Sequence, residues 1–281
     1  MSTVFDDRIC ELGEGPLWHP VRQQLYWFDI LGKRLLTRSG DTTNEWHFDE
    51  HCSAAGWVDR DTLLIASETG LWRFSLETGA RELITPLEAD NPVTRSNDGR
   101  ADPWGGFWIG SMGKNAEKYA GSISRFYKGE LRTLFTSITV SNAICFASDR
   151  SCVYYTDTHS RRVMRQDLDA VDGWPVGAST VFLDLRKEEL NPDGAVIDAG
   201  GNMWVAQWGA SRVAVYSPNG TFLKAVEIKA KQASCPAFGG PDLTTLYVTS
   251  AAVGLDAGPN DGMTFVAQGV GTGLPEYQVI L

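Results

Sequence analysis

The 281-residue chain is 43% hydrophobic, enough to bury a large core in one big β-rich domain or two smaller ones. Its 25 Lys plus Arg stand against 35 Asp plus Glu, a formal net charge of -10 with no basic run, which argues against nucleic acid or anionic membrane surfaces as partners. No stretch approaches the roughly 18 apolar residues of a membrane span, and "MSTVFDDRICELGEGP" lacks a basic segment followed by an apolar one, so a cytoplasmic protein is expected.

In chain order, residues 3–10 ("TVFDDRIC") read as a strand standing alone. The short β-branched and aromatic runs that follow share one shape: "LYWFD" from Leu25, "LLIAS" from Leu63, "FWIGS" from Phe107, "VYYTD" from Val153, "MWVAQ" from Met203 and "LYVTS" from Leu246. Their starts are 38, 44, 46, 50 and 43 residues apart, the length of one four-stranded propeller blade. Each run follows a reversal such as "DPWGG" or "DAGGN". Third strands are read in "GLWRFSL", "GSISRFY", "RRVMRQDL" and "SRVAVYS", and outer strands in "ARELIT", "LRTLFTS", "TVFLDL" and "TFLKAVEI".

The expectation is an all-β, six-bladed β-propeller of four-stranded antiparallel blades in a single domain, rather than a β-sandwich with accidental spacing. Residues 3–10 are expected to supply the outer strand of the last blade, with the closing "EYQVIL" competing for that place. Five cysteines without a CxxC pair read as reduced, buried thiols.

If the aligned runs are second strands, the residue about a dozen positions earlier begins each innermost strand. Glu14 lies 12 before Tyr26, Asn97 lies 11 before Trp108, Asn142 lies 12 before Tyr154, and Asp193 lies 11 before Trp204. The other two blades place Cys52 or Ser53, and Cys235 or Pro236, at this point. "NPDGA" and "RSNDG" are turn-like on their own, but four equivalent positions converge on one end of the channel. Two carboxylates and two carboxamides form an oxygen cage that matches a divalent cation. With no imidazole or thiolate among them, Ca²⁺, Mg²⁺ or Mn²⁺ suits the set better than a Cys/His zinc site, although Zn²⁺ also accepts carboxylates.

The stretches "GEGPLWHP", "RSNDGRADPWGGFWIGSM", "VSNAICFASDRSCVYYTDT" and "NPDGAVIDAGGNMWVA" resemble the SMP-30/gluconolactonase/luciferin-regenerating family over residues 11–250. The resemblance implies a six-bladed propeller with one divalent metal ion, Ca²⁺ foremost, held by Glu14, Asn142 and Asp193. It further implies that Asn97 touches substrate and Arg95 holds sugar hydroxyls, and that the reaction is hydrolysis of a sugar lactone such as gluconolactone. An ion so held can polarise a lactone carbonyl and acidify a bound water, whose proton Asp193 is placed to take.

The polar, glycine-bounded loop 113–121 suits a lid, with Glu117 as a candidate for substrate hydroxyls or a solvated surface group. "GVGTG" from Gly269 reads as a hairpin rather than a nucleotide loop. The four histidines read as structural or surface groups, and the ten tryptophans as packing. Two other functions remain open: a phosphotriesterase or other ester hydrolase, and a non-catalytic calcium-binding propeller. No apolar patch is obvious, so a monomer or weak homo-oligomer is expected.

Overall fold

The computed structural model describes residues 2–256 and 258–281. Among them lie six antiparallel sheets of four strands each, arranged as a β-propeller. Blade 1 spans residues 13–47, blade 2 52–86, blade 3 94–138, blade 4 141–184 and blade 5 191–227. Blade 6 takes three strands from residues 232–268 and its outermost from Thr3–Asp6. Each inner strand touches the inner strands before and after it, and that of blade 6 returns to blade 1.

The repeated runs are the second strands, buried along almost their whole length. Their aromatic and branched side chains fill the gaps between blades: Trp108 packs edge-on against Phe146 of blade 4, and Trp204 against Phe238 of blade 6. The turns that launch these strands are built alike in blades 3 and 5. Asp102 accepts the Trp104 and Gly106 N–H groups and the Trp108 indole, and Asp198 accepts the Gly200 and Asn202 N–H groups and the Trp204 indole. A carboxylate that closes the turn and anchors the aromatic ties local chain reversal to interblade packing.

The closing face of the ring is fastened by backbone as well as by packing. Val4 pairs with Phe265 in blade 6, Leu12 bridges to Ala251, and Ser234 Oγ donates to the Gly13 carbonyl of blade 1 at 2.5 Å. All five cysteines are buried and free.

Two C-terminal segments differ from the sequence reading. Residues 269–273 form no hairpin. They leave the last strand irregularly, and Gly273 bridges to Asp198 of blade 5. A Cβ at Gly271 would meet Trp204 within 2.6 Å and one at Gly273 would strike Phe238, so glycine lets this chain lie flat on the aromatics. The final "EYQVIL" likewise forms no strand. It crosses the end of the channel opposite the candidate site, where Val279 N–H donates to Trp57 O, Ile280 N–H to Gly105 O, and Glu276 meets the half-buried Arg100 at 2.6 Å.

Candidate active site and metal centre

The inner strands would be poor strands by propensity: "GEGPLWH", "CSAAGW", "TRSNDGRA" and "NPDGAVI" are rich in small, polar and proline residues. They hold because each is the edge of its sheet at the channel wall, where a proline costs no ladder bond. Each also breaks register at one equivalent point: after Glu14, Cys52, Ser96, Asn142, Pro192 and Ala233. A bulge re-aims the side chains beside it. Six bulges around the axis therefore set Glu14, Ser53, Asn97, Asn142, Asp193 and Cys235 at or next to the break.

The backbone at these bulges is specialised. Gly15 has φ +52°, and a Cβ there would strike the Ser53 carbonyl of the neighbouring blade. Ala143 takes φ +56° beside Asn142, a cost of about 1 kcal/mol that surrounding packing must hold in place. Gly194 lies against Cys235, where a Cβ would overlap the thiol.

Glu14, Arg95, Asn97, Asn142 and Asp193 are all buried and line one cavity of about 400 Å³. Asn97 is the hub of its polar floor. Its Oδ1 accepts Arg95 Nη1 at 2.8 Å, and its Nδ2 donates to the Ser141 carbonyl at 2.8 Å and to Asn142 Oδ1 at 3.1 Å. Asn142 Nδ2 then donates to Thr158 Oγ1, whose hydroxyl bonds Pro192 O, so both amides are fixed in orientation and Asn142 presents oxygen inward. Ser53, the blade 2 equivalent, donates to the Asn97 carbonyl at 2.6 Å.

Buried close to the floor carboxylates Glu14 and Asp193 is a third that the spacing of the runs did not indicate. Asp98, the next residue of the blade 3 bulge, accepts the Ile144 N–H at 2.7 Å. Burial, and then the charge of Asp98, push Glu14 up to about 8. Burial, followed by Glu14 and Asp98, raises Asp193 well above the usual carboxylate range. Burial pushes Asp98 up to about 6, opposed by the Ile144 N–H and Arg100. Cys235, beside them, is held as the neutral thiol by burial and the same carboxylates.

Negative charge gathered here, only partly offset by Arg95 and Arg100, is what a hard divalent cation would relieve. The donor set fits such an ion: the Asp193 carboxylate takes no side-chain partner, Glu14 uses one oxygen on the Gly15 N–H, and Asn142 turns Oδ1 inward. Among the described residues no group of three or more His, Cys, Asp or Glu is arranged to hold a metal, so an ion here would draw on an amide oxygen such as that of Asn142.

Arg95 is the buried cation of the cavity. Burial lowers it to about 10, partly offset by Glu14 and Glu68, and its buried Nε has no partner. Above the floor the walls are more apolar than the sequence suggested, with Leu12, Leu31, Met112, Val140, Trp208 and Val253. Trp208 is the exception to the reading of tryptophans as packing alone. Loop 113–121 joins the second and third strands of blade 3 and reaches the cavity through Lys114, Asn115 and Ala116. Glu117 is not part of the lining; its carboxylate accepts the Asn115 N–H and Nδ2 at 3.0 Å each. Lys114 instead meets Glu68 at 2.7 Å, and His51 supports the same carboxylate at 3.0 Å. Asp98 and Thr158 escaped the sequence reading. The adjacent carboxylate in "SNDG" was the available signal for the first; nothing local marks the second.

Residues 12–252 match the family described as SMP-30/Gluconolactonase/LRE-like region. The chain is 35% identical over 280 residues to the L-arabinolactonase of Azospirillum brasilense, covering 95% of this chain and 91% of that one. It is 33% identical over 284 residues to a pentonolactonase of Haloferax volcanii, covering 97% and 96%. A crystal structure described as a calcium-binding protein, regucalcin, from Agrobacterium tumefaciens superposes with a TM-score of 0.97 at 38% identity, covering 100% of this chain and 98% of that one.

Proposed function

Since the chain belongs to the SMP-30/gluconolactonase/LRE-like family, we propose that it is a sugar lactonase, opening the ring ester of an aldonolactone to the free acid. The reaction depends on one divalent cation, with Ca²⁺ ahead of Mg²⁺, Mn²⁺ and Zn²⁺, and Glu14, Asn142 and Asp193 hold it. The observation that carries this reading is the floor itself, where buried carboxylates lie beside an oriented amide oxygen and an arginine with a free donor. Lactone-hydrolysing relatives and a neighbour described as calcium-binding support it.

Bound there, the cation supplies Lewis acidity at the ester carbonyl and lowers the pKa of water. Asp193, with both oxygens free of side-chain partners, takes the proton of the attacking water and returns it to the ring oxygen as that becomes the leaving hydroxyl. Arg95 and Asn97 orient the substrate's hydroxyls, Arg95 through the donors that Asn97 leaves free. A guanidinium fixed by Ser96 O and Asn97 Oδ1 loses little further freedom on binding. Trp208 and the aliphatic walls pack the C–H face of the ring and displace water from the reacting carbonyl.

The apolar walls favour a second reading, an aryl ester or phosphotriester on the same centre. A panel of γ- and δ-aldonolactones, with one aryl ester and one phosphotriester, followed by acid release above spontaneous hydrolysis, separates the two. Turnover of lactones supports the proposal, and turnover of the aryl ester or phosphotriester alone replaces it with the second reading.

A further inference from the structure

The catalytic cavity does not end at Trp208. A groove of about 550 Å³ adjoins it at the mouth between blades 4 and 5 and shares Val140, Thr158 and Trp208 as walls. Its far side is lined by His159, Arg161 and Arg186. The three shared walls set the groove beside the cavity, so a ligand seated on the floor can extend toward it past Trp208.

The cations of this groove are not equivalent. Arg186 is spent on Asp184, with Nε at 2.8 Å and Nη2 at 2.6 Å from its carboxylate. Arg161 follows the short 3₁₀ turn Thr158–Ser160, at φ 54°, and its N–H bonds the Thr158 carbonyl at 3.1 Å. Its carbonyl accepts the Leu185 N–H at 2.9 Å, and its Nε donates to Asn191 Oδ1 at 3.0 Å. That anchoring spans the site: Thr158 holds Asn142, and Asn191 stands two residues before Asp193. Among the described residues no carboxylate lies within ion-pair distance of Arg161, and its two terminal nitrogens take no acceptor. The nearby Asp157 carboxylate is occupied by the Thr139, Val140 and His159 N–H groups.

A half-buried guanidinium is thus oriented by its Nε, left open at its outer edge and placed at the end of a groove leading from a strongly acidic floor. Its fork geometry matches a carboxylate, sulfonate or phosphate. The floor would repel an anion, and the wall of Trp208 and Thr158 separates the two regions. Resting on the lactonase reading, we propose that the groove is a specificity arm in which Arg161 binds an anionic group at the end of the lactone away from its carbonyl. The substrate is then an acidic sugar lactone rather than a neutral one.

The test compares wild-type protein on a neutral aldonolactone and on lactones of the same ring bearing a terminal carboxylate, sulfonate or phosphate. The expected result is a kcat/KM at least tenfold higher for one anionic member, which also identifies the group. Arg161→Gln should cut the anionic-to-neutral ratio tenfold or more, mainly through KM, and Arg161→Lys should restore part of it. Raised salt should shrink the wild-type preference. A neutral lactone turned over as well as every anionic one, with a ratio untouched by Arg161→Gln, overturns the arm and leaves the lactonase standing. No turnover of any lactone overturns both.

Discussion

Replacing Glu14 by Gln removes one carboxylate from the floor while keeping an oxygen for the Gly15 N–H. In the metal-free fold Glu14 is pushed from 4.5 up to about 8, by burial first and by Asp98 second. An acid raised in this way contributes its stability below its ordinary value and loses it as the pH climbs to the folded value. Each pH unit in that window costs about 1.4 kcal/mol, so Glu14 alone should take roughly 4 to 5 kcal/mol from metal-free wild type between pH 4.5 and 8, in addition to what Asp98 and Asp193 take. At about 2 °C per kcal/mol for a chain of this size, Tm should fall by roughly 8 to 10 °C. Metal-free Glu14→Gln should escape most of that fall and be the more stable protein at pH 8. Metal narrows the gap, because a cation at 100 times its Kd stabilises wild type by about 2.7 kcal/mol and does little for the variant. Scanning calorimetry of chelator-stripped and metal-loaded samples from pH 5 to 8 reads both effects. Parallel Tm curves for the two stripped proteins, or a less stable Gln variant at pH 8, would refute the reasoning.

Three further substitutions probe other layers. Arg95→Ala should raise KM tenfold or more with a smaller change in kcat, and unchanged steady-state kinetics would remove Arg95 from the site. Gly15→Ala, forced against the Ser53 carbonyl at φ +52°, should displace Glu14 and lower kcat/KM more than tenfold while the circular dichroism stays native; wild-type kinetics would show that the bulge yields. Asp102→Ala leaves the fully buried Arg125 unpaired and strips the acceptor from the Trp108 indole, so it should cost about 3 to 5 kcal/mol in urea unfolding. A loss below about 1 kcal/mol would show that the pair is not needed.

The propeller is legible because its second strands carry the packing. Residues such as Trp108, Tyr154 and Trp204 must be large and strand-forming to fill the space between blades, and that requirement leaves a period in the sequence. The inner strands leave no such mark, since their edge position tolerates Pro16 and Pro192 and their bulges favour small residues. They were found only by counting back across a hairpin of nearly constant length. The same count reached Glu14, Asn97, Asn142 and Asp193. It passed over Asp98, because the count finds one residue per bulge and Asp98 is the next one along, its carboxylate turned to the Ile144 N–H. The mouth is less legible still. Trp208, Arg161 and the 114–116 segment reach it through turn geometry and interblade placement, which a single sequence does not encode in its periodicity. The C-terminal tail looks like a strand by composition, yet the last blade takes its fourth strand from Thr3–Asp6, so the tail is left to cross the far end of the channel.

The central claim is that one divalent cation held by Glu14, Asn142 and Asp193 makes this propeller a lactonase. The most direct measurement is a titration of chelator-stripped wild type and Asp193→Ala with Ca²⁺, Mg²⁺, Mn²⁺ and Zn²⁺, reading binding heat and acid release from an aldonolactone in the same samples. Wild-type activity should appear with binding and saturate at one equivalent, while Asp193→Ala stays folded, binds no metal and remains at the spontaneous rate. Full activity in stripped wild type, or in Asp193→Ala, would contradict the account.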